Sequence, residues 1–147
     1  MQSINFDTGY KTYAVNGDEN NVIRINVADI NLRSKLETAM KNISSAKERL
    51  KNCEPTFELY EEVDKTIKEQ LDYAFGENFS KSVFGDVNCL TVANSQGDMI
   101  IETFAAAFMP IVQKDIEEAM KAQKNKINIL HNKKTDKYIS DIKGIMK

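Results

Sequence analysis

Apolar residues along this chain change period once, from two to three-and-a-half, and that change divides it into a short β part and a long helical part. Lys11 to Val15 alternates with Tyr13 and Val15 on one face, and Val22 to Val27 alternates with Ile23, Ile25 and Val27 on one face. Between them, Asn16 to Asn21 is built from residues that tolerate positive φ and cap turns, so residues 1–27 are expected to form a β-hairpin with a loop over 16–21. Ile4 and Phe6 are candidates for a short preceding strand. A lone hairpin is marginal in water, so its apolar face has to dock on the helices or on another copy.

From Asp29, a candidate N-cap, the stripe Leu32, Leu36, Ala39, Met40, Ile43, Ala46 and Leu50 recurs at helical spacing. Asn52 to Pro55 ends it, because the residue before a proline avoids the α region. Thr56 is placed to cap a second helix with the stripe Phe57, Tyr60, Val63, Ile67, Leu71 and Phe75, stopped at Gly76. So short a link predicts an antiparallel helical hairpin. One helical turn is expected near Phe79–Val83 and a brief extended stretch at Cys89–Val92. A third helix starts near Met99 and carries Ile100, Ile101, Phe104, Phe108, Ile111, Val112, Ile116 and Met120. Pro110 lies inside it and is expected to kink or break it near Phe108–Pro110. Thr135 or Asp136 is a candidate cap for a last short helix with Tyr138, Ile142 and Ile145. The predicted fold class is mainly α with an N-terminal β-hairpin (α+β), a helical hairpin and a long, Pro-kinked C-terminal helix. Residues 1–147 read as a single domain: hairpin 1–27, helical body 28–120 and basic helical arm 121–147.

Charge sharpens the last boundary. The whole chain carries −2. Residues 121–147 hold eight lysines and two aspartates, a net of +6, which leaves −8 on residues 1–120. An acidic body with a basic arm is suited to pairing with itself, with neighbouring copies or with an acidic partner. Nucleic acid is the obvious acidic partner. The arm has one tyrosine and no arginine, however, and the chain as a whole is acidic, which argues against it. Cys53 and Cys89 are far apart with no CxxC spacing, and read as two free, half-buried thiols of a reducing compartment. The start MQSINFDTGY has no signal-peptide pattern, and no apolar run approaches the roughly 18 residues of a membrane span. A cytoplasmic protein without a membrane partner is expected.

Catalytic chemistry finds little to work with. The single histidine, His131, sits among lysines that repel a metal ion. Glu61/Glu62 and Glu117/Glu118 fall on faces expected to meet water, where nothing raises a carboxyl pKa for acid catalysis. The Asn16–Asn20 turn has acidic residues but lacks the frame of a calcium loop. Neither an enzyme nor a cofactor is expected. The remaining signal is apolar: Phe75, Phe79, Phe84, Phe104 and Phe108 fall close together with Met99, Met109 and Pro110. Most of these rings belong in a core, but a groove lined by aromatics and methionines also suits an amphipathic helix from a partner.

Two blocks carry a resemblance. The first is Ile4-Asn5-Phe6-Asp7-Thr8-Gly9, Lys11-Thr12-Tyr13, Val15-Asn16-Gly17-Asp18 and Ile23-Arg24-Ile25-Asn26, closing at Asp29 to Asn31. The second is Leu71-Asp72, Phe75-Gly76, Val83-Phe84-Gly85, Asn88, Gly97, Ile101-Glu102, Phe104 and Pro110-Ile111. Together they resemble the tail assembly chaperones of long-tailed phages and prophages of Gram-positive bacteria. The resemblance omits residues 37–70 and the lysine-rich end. It implies a non-enzymatic, cytoplasmic protein that coats the tape measure protein and keeps it soluble. It also implies self-association into spirals or rings, and absence from the finished virion. On that reading Phe84, Met99, Phe104, Phe108 and Pro110 are candidate client contacts. Tyr13, Val15, Ile23, Ile25, Ile127 and Leu130 are candidate contacts between copies. The rival expectations are a DNA-binding or regulatory phage protein acting through the lysine arm, and a structural tail component.

Overall fold

In a computed structural model the chain is mainly α-helical with an N-terminal antiparallel hairpin. The structure describes the backbone of residues 1–146, and the side chains of all of these except 134–136, 138–139 and 141–146. The elements are β1 (Tyr10–Val15), β2 (Asp18–Asn26), α1 (Ile30–Asn52), α2 (Phe57–Phe75), α3 (Phe79–Phe84) and α4 (Ile100–Met146).

The hairpin turns on two residues, not six. Asn16 (φ 53°) and Gly17 (φ 76°) both take the left-handed conformation that a tight mirror-image turn needs. Asp18 to Asn21 is strand, not loop. Its side chains are mostly exposed, so it lacks the alternation that reveals a half-buried strand. Tyr13 pairs with Ile23 and Lys11 with Ile25, and a bulge at Ala14/Val15 sets Val15 opposite Asp18. Ile23, Ile25 and Val27 are buried and Tyr13 and Val15 half-buried, so the inner face docks on the chain's own helices. Ile4 and Phe6 form no strand and are exposed.

Asp29 caps α1, its carboxylate accepting from the Asn31 N–H at 2.9 Å, and the Thr56 hydroxyl caps α2 by accepting from the Leu59 N–H at 3.1 Å. The two helices pack antiparallel. Asn42 reaches Gln70 at 3.0 Å and Arg49 reaches Glu62 at 2.9 Å, one pair toward each end of the contact. The inward face of α2 is Leu59, Val63, Ile67, Leu71 and Ala74; Phe57 and Tyr60, expected on that stripe, are exposed. Phe57 is the first residue after the cap, and with about 3.6 residues per turn it points nearly opposite Leu59 and about a third of a turn from Val63.

The Asp72 carboxylate fixes α3, accepting from the Ser80 N–H at 2.7 Å and from its hydroxyl at 3.0 Å. The following segment is pinned to α2. The Asp64 carboxylate accepts from the Cys89 N–H at 2.8 Å, and Lys68 bridges Asp64 (3.1 Å) and the Val87 carbonyl (2.9 Å). Only Val92 of the expected extended stretch pairs, in an isolated bridge to Met99. The two thiols differ from expectation and from each other: Cys53 is exposed and Cys89 fully buried. Burial, and behind it the Asp64 carboxylate, push the Cys89 thiol up to about 12, leaving it almost wholly protonated and unreactive at neutral pH. In the native protein a thiol-specific chromogenic reagent should therefore titrate one cysteine, and two after unfolding. Rapid loss of both thiols under native conditions would contradict the packing around Cys89.

Pro110 does not break α4. The helix runs unbroken over 47 residues, about 70 Å at 1.5 Å per residue. Pro110 and the Ala106 turn before it are exposed, so the carbonyl that loses its partner faces water. The separate last helix capped by Thr135 or Asp136 does not form either, since α4 continues through both. One apolar cluster joins Ile23, Ile25 and Val27 of the hairpin to α1, α2, α3 and the first half of α4.

Candidate functional site

Six rings tie the body together. Phe108 lies 4.9 Å from Phe104, 5.3 Å from Phe75, 5.6 Å from Phe79 and 6.3 Å from Tyr13, and Phe84 lies 5.6 Å from Phe104. Phe108 and Phe84 are buried in this cluster: Phe108 is covered by Phe75, Phe79 and Tyr13, and Phe84 packs on Phe104 of α4. Ile23 and Ile25 are buried as well, and Tyr13 and Val15 are half-buried on that same docked face. Met99 and Phe104 are half-buried and Pro110 is exposed. Ile127 and Leu130, at 56% and 53% exposure, are open to a partner.

The Tyr13 hydroxyl locks the hairpin to α4 by donating to the Asp115 carboxylate at 2.5 Å, and Lys11 pairs with the same carboxylate at 3.1 Å. The Tyr13 hydrogen bond, followed by Lys11, holds Asp115 below the usual carboxylate range against the opposing effect of its partial burial. Burial and Asp115 together push the Tyr13 hydroxyl up. A carboxylate with a depressed folded-state pKa contributes stability that is present above its unfolded value, about 3.9, and is lost as pH falls through the folded value. Asp115→Asn should therefore lower stability at neutral pH and flatten the acid limb of the stability curve below about pH 4. An unchanged acid limb in urea titrations would contradict this lock.

The open surface of the body is a groove between α1 and α4, which run antiparallel side by side. Leu50 lies near Met99 at one end, Met40 near Met109 in the middle, and Ile30 near Met120 at the other end. Its widest part is a cavity of about 770 Å³ lined by Leu36, Met40, Met109, Ile116 and Met120, with Arg33, Glu37, Gln113 and Glu117 around its rim. Below Met40 and Met109 it continues into a crevice of about 100 Å³ floored by Phe75, Phe104 and Phe108. Four of the six methionines therefore lie along one groove: Met40, Met99, Met109 and Met120.

Why the groove stays open is legible in the two helices. The narrow inward face of α1 (Ala39, Ile43, Ala46) is spent on α2, which leaves Leu36 and Met40 on the flank. On α4, Phe104, Phe108 and Val112 turn into the core, leaving Met109, Ile116 and Met120 on the flank facing α1. A methionine-lined cleft between two helices accepts an amphipathic helix without demanding one sequence, because unbranched thioethers repack. Of the residues expected in a partner groove, Met99 lies at one end of this cleft and Phe104 and Phe108 floor its crevice, whereas Leu36 and Met40, read only as part of the α1 stripe, line its widest part. The available signal was the width of the α1 stripe, too broad for a single helical neighbour.

Glu61, Glu62, Glu117 and Glu118 are exposed, and no three His, Cys, Asp or Glu side chains among the described residues gather as a metal site. No helix among the described residues is long and apolar enough to cross a membrane. No protein-family model matches the chain, and no match is found among curated proteins or solved structures.

Proposed function

We propose that this chain is a phage tail assembly chaperone, acting in the host cytoplasm without catalysis, that holds amphipathic segments of the tape measure protein in the groove between α1 and α4. The observation that carries the reading is the methionine-lined cleft of about 770 Å³ between two helices, open along its length and edged by charge. A long helical client exposes apolar stripes before the tail tube encloses it, and a groove of this chemistry covers such a stripe while tolerating changes in its sequence. The resemblance in the hairpin and in the Phe-Gly, Phe-Gly, Pro-Ile block supports the choice of client.

Co-expression with the tape measure protein of the same gene cluster tests it. The expected result is a soluble client that co-purifies with this chain in a large complex. A client that stays insoluble beside a folded, unbound chain would overturn the proposal. The DNA-binding alternative draws on Lys121, Lys124, Lys126 and Lys133, all exposed on one projecting helix. It requires a mobility shift that steepens at low salt and vanishes with residues 121–147 removed.

A further inference from the structure

Beyond Gln123 the α4 helix leaves the body, and every side chain from Lys124 to Lys133 is exposed. Its apolar spacing nevertheless continues without a change of phase. Ile116, Met120, Gln123, Ile127 and Leu130 follow one another at intervals of four, three, four and three, the seam spacing of two packed helices. Within the body, the first two of these residues line the α1/α4 groove. Past it, Ile127 and Leu130 are more than half exposed. One strip of α4 thus forms a wall of the groove at Ile116 and Met120 and is uncovered at Ile127 and Leu130.

The charges along the same helix oppose each other end to end. Residues 100–120 contain Glu102, Asp115, Glu117 and Glu118 against Lys114, a net of −3, whereas residues 121–147 carry +6. Two parallel arms would set +6 against +6. Two antiparallel copies set each basic half beside the acidic half of the partner's α4, with the apolar seams facing. The other wall of the groove, α1, is itself basic, with Arg33, Lys35, Lys41, Lys47, Arg49 and Lys51 against Glu37 and Glu48.

We propose that the projecting half of α4 docks antiparallel into the α1/α4 groove of a second copy, making a two-fold dimer in which each arm fills the other's groove. Placing Ile127 against Ile116 of the second copy sets Leu130 over the stretch from Met109 to Gln113 and Lys126 beside Glu117. The two-fold axis then passes near Lys121 and Ala122, and the same contacts repeat on the other side, as an isologous interface requires. At the widest part of the groove Glu37 and Glu117 flank the apolar floor that Ile127 and Leu130 would cover, with Arg33 at one corner. On the chaperone reading, arm and client compete for one groove, but the test that follows uses no client and is independent of that reading.

Sedimentation equilibrium of the full chain should show a dimer. Ile127→Glu/Leu130→Glu should weaken it by about tenfold or more, because two apolar side chains lose their burial and acquire charges facing acidic residues. Both positions are exposed in the monomer, so circular dichroism and thermal unfolding of the variant should match the parent. In a Cys53→Ser background, oxidising a mixture of Ile116→Cys and Ile127→Cys chains should give the mixed disulfide, and Ile127→Cys alone should give little. A monomeric parent, unchanged self-association of the double variant, or efficient disulfide formation by Ile127→Cys alone would each overturn the arrangement.

Discussion

Replacing Phe108 by Ala is expected to destabilise the protein by about 3–5 kcal/mol, the usual cost of emptying a phenylalanine site that the surroundings cannot refill. Phe108 is where four neighbours from three other parts of the chain converge: Tyr13 of β1, Phe75 of α2, Phe79 of α3, and Phe104 one turn earlier on its own helix. With that ring gone, the edge-on contacts to Tyr13 and Phe75 disappear, and the hairpin's hold on α4 leans more on the Tyr13–Asp115 and Lys11–Asp115 contacts. Urea unfolding followed by far-UV circular dichroism measures this. Phe6→Ala is the control, since Phe6 is 75% exposed and its loss should cost no more than about 0.5 kcal/mol. A loss of less than about 1 kcal/mol at Phe108 would mean that the ring cluster is not the joint of the fold. Binding defects in this variant would report on folding, not on a client contact.

The second large effect belongs to the groove. Met40→Glu/Met120→Glu places two carboxylates on its apolar wall at positions 40% and 42% exposed, so the fold should keep its melting temperature within a few degrees. Client affinity should fall by about a hundredfold or more, since a carboxylate buried under a docked apolar helix has no partner and costs a few kcal/mol. Titration of a labelled amphipathic peptide from the tape measure protein measures it. A double variant that binds as well as the parent would move the binding surface elsewhere.

Much of this architecture was readable before the structure, where the signal is local. Asp29 and Thr56 cap where residues with short oxygen-bearing side chains precede helical stripes, and Asn16-Gly17 turns the hairpin through two positive φ values. Local signals also misled. Pro110 reads as a helix breaker, but on the exposed side of α4 its missing hydrogen bond is replaced by water, and the helix carries on. Phe57 reads as the first position of the α2 stripe, yet it points away from Leu59 and Val63 and off the face that α1 covers. The groove was the least legible part. It pairs Met40 with Met109 and Leu36 with Ile116, residues tens of positions apart on helices that contact each other only sparingly, and no one window of sequence holds both walls. Likewise Phe84 and Phe104, far apart in the chain, meet only because Asp72 and Asp64 tie α3 and the Cys89 loop back onto α2.

The most direct test is site-specific photo-crosslinking in a co-expressed complex with the tape measure protein. The crosslinker would be placed at Met40, inside the groove, and separately at Phe57, which is 88% exposed outside it. Capture of the client from position 40 and not from position 57 is the predicted result. Capture from position 57 alone, or equally from both, would contradict the assignment of the α1/α4 groove as the client site.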